Sequence, residues 1–137
     1  MTHNFELSVS PIPQKSVRFY GKRAYDPSKE YKEGLKRQLR KQCSGKLIDG
    51  AIAIKIVFKM PIPKCTTKER IKKMLMGEVF HVKRPDVDNL TKAVFDSLNG
   101  VVICDDSQIY SLYAKKIYST CPGISISLRT LLSDGRF

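Results

Sequence analysis

The stretch KRPDVDNLTKAVFDSLNGVVICDDSQI, residues 83–109, changes its hydrophobic period several times and so spells out a run of secondary structure. Pro85 disfavours helical angles at Arg84, so the chain arrives extended. A helix then runs to Leu98, with Leu90, Ala93, Val94 and Leu98 forming one apolar stripe that faces a core. Asn99-Gly100 closes it. Val101–Cys104 reads as a short apolar strand, Asp105-Asp106-Ser107 as a turn, and residues 108–118 as a longer strand. A helix set between strands predicts an α+β domain.

The same stretch gathers acidic side chains. In an extended chain, residues i and i+2 point the same way and lie about 6.5 Å apart, which would present Asp86 and Asp88 together with Val87 turned inward. Two like charges this close repel, and a shared divalent cation relieves them. Asp88 is also suited to cap the helix, where the positive dipole end favours a carboxylate. Capping does not account for Asp86. Lys92 lies one turn into the helix, within reach of the same neighbourhood; its plain alternative is an i,i+4 pair with Asp88 or Asp96, worth about 0.3–0.5 kcal/mol if exposed. Asp105 and Asp106 are adjacent, so in an extended chain only one can join the first pair, and alternation does not choose between them.

Outward from this stretch, Phe5–Ser10 alternates as a strand stopped by Pro11 and Pro13. Residues 14–27 form a basic loop. Pro27-Ser28 opens a helix to Cys43, with Tyr31, Leu35 and Leu39 at four-residue steps. Residues 51–60 make a strand bounded by Pro61 and Pro63. Thr66 or Thr67, with Glu69, starts a short basic helix to Met76. Residues 77–87 read as extended. Pro122-Gly123 turns into a last strand, residues 124–130, and residues 131–137 read as a loose tail. The expectation is one α+β domain over residues 1–137, a small mixed sheet packed against helices.

At 137 residues the chain is near the size of one domain and can bury about two-thirds of its unfolded surface. It carries 25 Lys and Arg against 13 Asp and Glu, a net charge of +12, and a sequence pI near 9.7. Such an excess predicts a polyanionic partner. Residues 14–46 are net +8 and residues 55–84 net +7, whereas residues 85–106 hold five aspartates against Lys92 alone. A basic protein with one acidic island suggests a surface for phosphates and a place for a cation; aspartates that only cap turns and a helix are the alternative.

Several classes drop out. The N-terminus has no long apolar run, and the longest apolar stretch, residues 51–58, is broken by Lys55 and too short to span a bilayer. The four cysteines form no CxxC pair, and only His3 and His81 could complete a zinc site. Without an export signal the thiols are expected to be reduced, in a cytoplasmic protein free of membrane. Leu90 and Thr91 stand where a calcium loop starting at Asp86 would need oxygen and Gly. There is no GxxxxGK[ST] and no GxGxxG, and neither histidine suits a hydrolytic triad. Carboxylates with a hard cation remain, the chemistry of phosphodiester hydrolysis.

On these residues the sequence resembles the RusA family of bacterial and phage crossover-junction endodeoxyribonucleases, the Holliday-junction resolvases. DVDNLTK matches the family's DxDNxxK element, and DDSQ its DD(S/A)Q element, in the family's order; the likeness of element order extends over residues 5–130. The Lys-rich stretch 63–82 departs from the shortest members. The resemblance implies that Asp86, Asp88 and Asp106 bind magnesium (manganese being the other candidate), that Lys92 is the essential lysine, and that the second aspartate of the Asp105-Asp106 pair is the functional one. It also implies a homodimer acting on four-way DNA junctions in recombination and repair. Symmetry agrees, since two paired nicks need two sites and each chain has one acidic cluster. Lys15, Arg18, Lys22 and Arg23, interleaved with Phe19, Tyr20 and Tyr25, suit branched DNA. Lys83 and Arg84, just before the carboxylates, join them as candidate DNA contacts. The rivals are a non-catalytic DNA-binding module with a structural acidic cluster, and a metal-dependent phosphohydrolase of RNA or nucleotides.

Overall fold

Ile52, Ile54, Ile56, Phe58 and Met60 are buried while Lys55 and Pro61 between and after them are exposed, the two-residue period of a strand with one face in the core. This strand, β4 (Ile52–Pro61), is the centre of the molecule in a computed structural model that describes residues 1–13 and 15–130. The preceding elements are β1 (Thr2–Leu7), β2 (Arg18–Tyr20), β3 (Arg23–Tyr25) and α1 (Lys29–Gln42). The following ones are α2 (Lys68–Leu75), α3 (Val87–Leu98), a 3-10 turn (Asp106–Gln108), β5 (Ile109–Ser119) and β6 (Gly123–Thr130).

Four strands form one mixed sheet in the order β1-β6-β4-β5. β6 is antiparallel to both β1 and β4, and β4 and β5 are parallel. The register aligns Phe5, Ile126 and Ile56 on the core face, and Asn4, Ser127, Lys55 and Tyr113 on the other. Among the described residues the helices cover the first face: Leu35 and Leu39 of α1, with Leu90, Ala93, Val94 and Leu98 of α3, are buried. The expected helical stripe is therefore the core stripe. Parallel neighbours require a crossover connection, and here the crossover carries α3, so its N-terminus lies at one end of the sheet on the helical side. The fold is α+β, three helices with a mixed four-stranded sheet and a small second sheet.

Five local expectations are corrected. The first strand is Thr2–Leu7 rather than 5–10, because α1 captures the chain after it: Gln42 bonds both the N–H and the carbonyl of Glu6, and Gln38 accepts from the Ser8 N–H at 2.8 Å. The basic loop contains a hairpin, β2–β3, turned on Gly21 and Lys22, where Gly21 takes φ +64°. Glycine at the first central position suits the primed turns that match strand twist. Residues 77–86 make no strand. Val101–Cys104 is not a strand either. The N–H groups of Val101, Val102 and Ile103 all bond the Leu98 carbonyl at 3.0–3.2 Å, curling the chain over the end of α3 so that three consecutive apolar residues are buried. Finally, α3 starts at Val87, with Asp86 rather than Asp88 at its N-cap position. The expected tail, residues 131–137, lies outside the described residues. Among the described residues no helix is long and apolar enough to cross a membrane, and all four cysteines are free thiols.

Candidate active site

The N-terminus of α3 gathers charged groups that the fold does not use. Asp86 is extended (φ −73°, ψ 145°) and ends its helix's first turn through its backbone, the Leu90 N–H bonding the Asp86 carbonyl at 3.1 Å. Its side chain makes no capping hydrogen bond. Asp88 sits in the first helical turn and is exposed. The two carboxylates are thus neighbours across a helix start and not across two steps of a strand, as extended geometry predicted. Lys92 is exposed one turn further on and ion-pairs with neither Asp88 nor Asp96.

The other aspartates of the island separate by what they bond. Asp96 is held by the Lys32 ammonium at 3.0 Å, which also pairs with Asp26. Burial pulls the Lys32 ammonium down, but its bonds to Asp26 and Asp96 outweigh this and leave it raised above its ordinary value. Lys32 in turn holds the Asp26 carboxyl below the usual carboxylate range. Asp105 caps the 3-10 turn, accepting from the Ser107 N–H at 3.0 Å in a reciprocal box with Gln108. Hydrogen bonds from Ser107 hold its carboxyl low. Asp106, the next residue, opens the turn half-buried, and its carboxylate takes no part in the box.

Asp86, Asp88 and Asp106 are therefore the island's uncommitted acids among the described residues, and the turn bearing Asp106 packs against α3. They are hard oxygen donors, the set that magnesium or manganese prefers. Among the described residues no three His, Cys, Asp or Glu side chains stand together closely enough to hold an ion. Among the described residues no hydrogen bond or ion pair ties these three carboxylates down.

A cleft of about 550 Å³ opens beside Asp86, lined also by Pro13, Arg84, Pro85 and Asn89. Arg84 is thus brought to the acidic site, with Lys83 exposed next to it. Pro13 places the start of the basic segment on the cleft rim. Lys15 follows, its N–H bonded to the Ser28 hydroxyl at 2.8 Å. Arg18, Lys22 and Arg23 stand on the exposed hairpin. Sequence reasoning assigned no role to two residues, Gln108, although it closes the DDSQ element, and Lys116. Gln108 ties the Asp105 turn to the chain before β4, donating to the carbonyls of Ile48 at 3.1 Å and Gly50 at 2.9 Å. Lys116, on β5, donates to the carbonyls of Lys83 at 2.8 Å and Pro85 at 2.9 Å. Neither was readable beforehand, since each bond spans more than thirty positions.

Comparison with known proteins gives the class to which this fold belongs. The family model for endodeoxyribonuclease RusA matches residues 7–129, so the chain belongs to the RusA endodeoxyribonuclease family. Nucleases of this family generally depend on a divalent metal and act on branched DNA junctions. The chain is also 30% identical over 121 residues to the uncharacterized protein YqaN of Bacillus subtilis (strain 168), covering 85% of each chain.

Proposed function

We propose that this chain resolves Holliday junctions as a homodimer, making paired nicks by magnesium-dependent phosphodiester hydrolysis in recombination and repair. The observation that carries the reading is the contrast within the acidic island: among the described residues no hydrogen bond or ion pair engages the Asp86, Asp88 and Asp106 side chains, while Asp96 and Asp105 hold the fold. Asp86, Asp88 and Asp106 would hold the magnesium ion, which when bound polarises the phosphoryl oxygens and activates the attacking water. Lys92 supplies a cation for the charge that develops on the phosphate in the transition state. Lys83 and Arg84 lead the DNA backbone into the cleft. One site per chain and a two-fold substrate call for a C2 pair of chains.

The hairpin supports the choice of a branched substrate. Its register sets Arg18 opposite Tyr25 and Tyr20 opposite Arg23, so two cations and two aromatics share one face, with Phe19 on the other. Phe19 is 73% exposed and Tyr20 84%. Aromatics left in water beside cations suit unstacked bases and their phosphates, which a branch point offers and a continuous duplex does not.

Labelled four-way junction, duplex and RNA, each incubated with and without magnesium, test the reading. Paired nicks in the junction alone, requiring the metal, are expected. Junction binding without cleavage under any divalent metal would leave the non-catalytic binding module instead. Preferential hydrolysis of RNA or nucleotides would leave the phosphohydrolase.

A further inference from the structure

Lys116 occupies a costly place. It lies on the helical side of β5, two residues after Ala114, which packs on the core, and two before Tyr118, which is buried against the His81 ring at a centroid separation of 5.1 Å. An apolar side chain would suit that row better. Burial lowers the proton affinity of the Lys116 ammonium, and the nearby Asp86 carboxylate works against that. The ammonium is half-buried and bonds two main-chain carbonyls, those of Lys83 and Pro85.

These carbonyls bracket Arg84 and Pro85, the two residues that deliver Asp86 to the start of α3. Pro85 has no N–H, and no hydrogen bond from the Asp86 side chain fixes its position on the helix. The Lys116 ammonium supplies the missing anchor. One cation holds the segment that reaches Asp86 from both sides of Arg84.

We infer that Lys116 is a positioning residue for the metal site, fixing Asp86 by clamping the carbonyls of Lys83 and Pro85. This rests on the reading of Asp86 as a metal ligand. Lys116 touches no reacting atom in this role; it acts through the main chain. Partners of this kind behind a ligand commonly change metal affinity or activity by about 10- to 100-fold when removed.

The test compares wild type with Lys116→Met, which keeps the stem and loses the donors, and Lys116→Arg, which restores a charged donor. Amide hydrogen exchange of Leu90, whose N–H bonds the Asp86 carbonyl, should be faster in metal-free Lys116→Met than in wild type and largely restored in Lys116→Arg. Broadening of the Asp86 and Val87 resonances by Mn2+ should need about 10-fold more metal in Lys116→Met, and the magnesium concentration for half-maximal junction cleavage should rise in step. Junction affinity in the absence of metal should be unchanged. If Lys116→Met does not fold, Lys116→Gln takes its place. Unchanged exchange and unchanged metal dependence in a folded variant would overturn the inference, as would a fall in melting temperature with wild-type metal dependence. If wild-type protein cleaves no junction, the resolvase reading falls, whereas the exchange and Mn2+ measurements still decide the role of Lys116.

Discussion

The two ends of the acidic island treat the same residue type in opposite ways. In the turn after α3, Asp105, Ser107 and Gln108 form a closed set of hydrogen bonds that reaches the chain before β4. At the start of α3, Asp86, Asp88 and Lys92 are exposed, with no such set around their side chains. Polar groups that bond one another specify structure, while charges left exposed and close together are costly to the fold and available to a ligand. Asp105 and Asp106, adjacent in sequence, fall on either side of that divide. Under the proposed function, the difference separates stability from chemistry residue by residue.

The sharpest way to break this contrast is a pair of substitutions. Asp106→Asn removes the charge of one proposed ligand and should lower junction cleavage by about 100-fold or more, with binding retained or tightened because an anion near DNA is gone. Asp105→Asn should instead lower the melting temperature and leave cleavage per folded molecule near normal. Cleavage, junction binding and melting temperature of both variants decide it. Equal, mild effects of the two changes would mean that both aspartates only shape the turn.

A smaller effect is expected at the hairpin, whose exposed groups are the proposed DNA contacts. Phe19→Ala and Tyr20→Ala should each weaken junction binding by about 1–3 kcal/mol. Their melting temperatures should stay near wild type, since both rings are already in water. Arg18→Ala with Arg23→Ala should flatten the plot of log affinity against log salt by about 0.9 for each phosphate that is no longer neutralised. An unchanged slope would remove the hairpin from the DNA surface.

The smallest effect belongs to the acids that hold the fold. Lys32→Met leaves Asp26 and Asp96 without their shared cation and should destabilise by about 1–2 kcal/mol, seen in urea unfolding, with cleavage per folded molecule retained. The pH dependence follows from the directions of the shifts. The folded Asp26 carboxyl titrates below its ordinary value of 3.8, so its contribution is full above that value and is lost as pH falls through the lower folded value. Lys32 is raised above 10.5, so its contribution is present below that pH and fades as pH rises beyond it. Asp26→Asn should therefore show a shallower loss of stability than wild type between about pH 5 and 2 in urea titrations. Parallel curves would mean that the pair contributes nothing measurable.

What the sequence determined alone was whatever depends on local spacing. Leu90, Ala93, Val94 and Leu98 mark a core-facing helix, residues 51–60 bounded by Pro61 and Pro63 mark a strand, and the DxDNxxK and DD(S/A)Q elements mark the family. Tertiary structure decided the rest. The curl at Val101–Ile103 depends on the Leu98 carbonyl taking three N–H groups, which apolar composition does not distinguish from a strand. The first strand ends at Leu7 because Gln38 and Gln42, thirty or more residues away, take over its polar groups. Asp105 and Asp106 are equivalent by spacing and differ only once Ser107 and Gln108 close a capping box on one of them. Lys116 gains its partners only where the crossover brings the carbonyls of Lys83 and Pro85 to it. Local patterns record which face a residue shows, but the partner that commits or frees a polar group is chosen by the long-range fold.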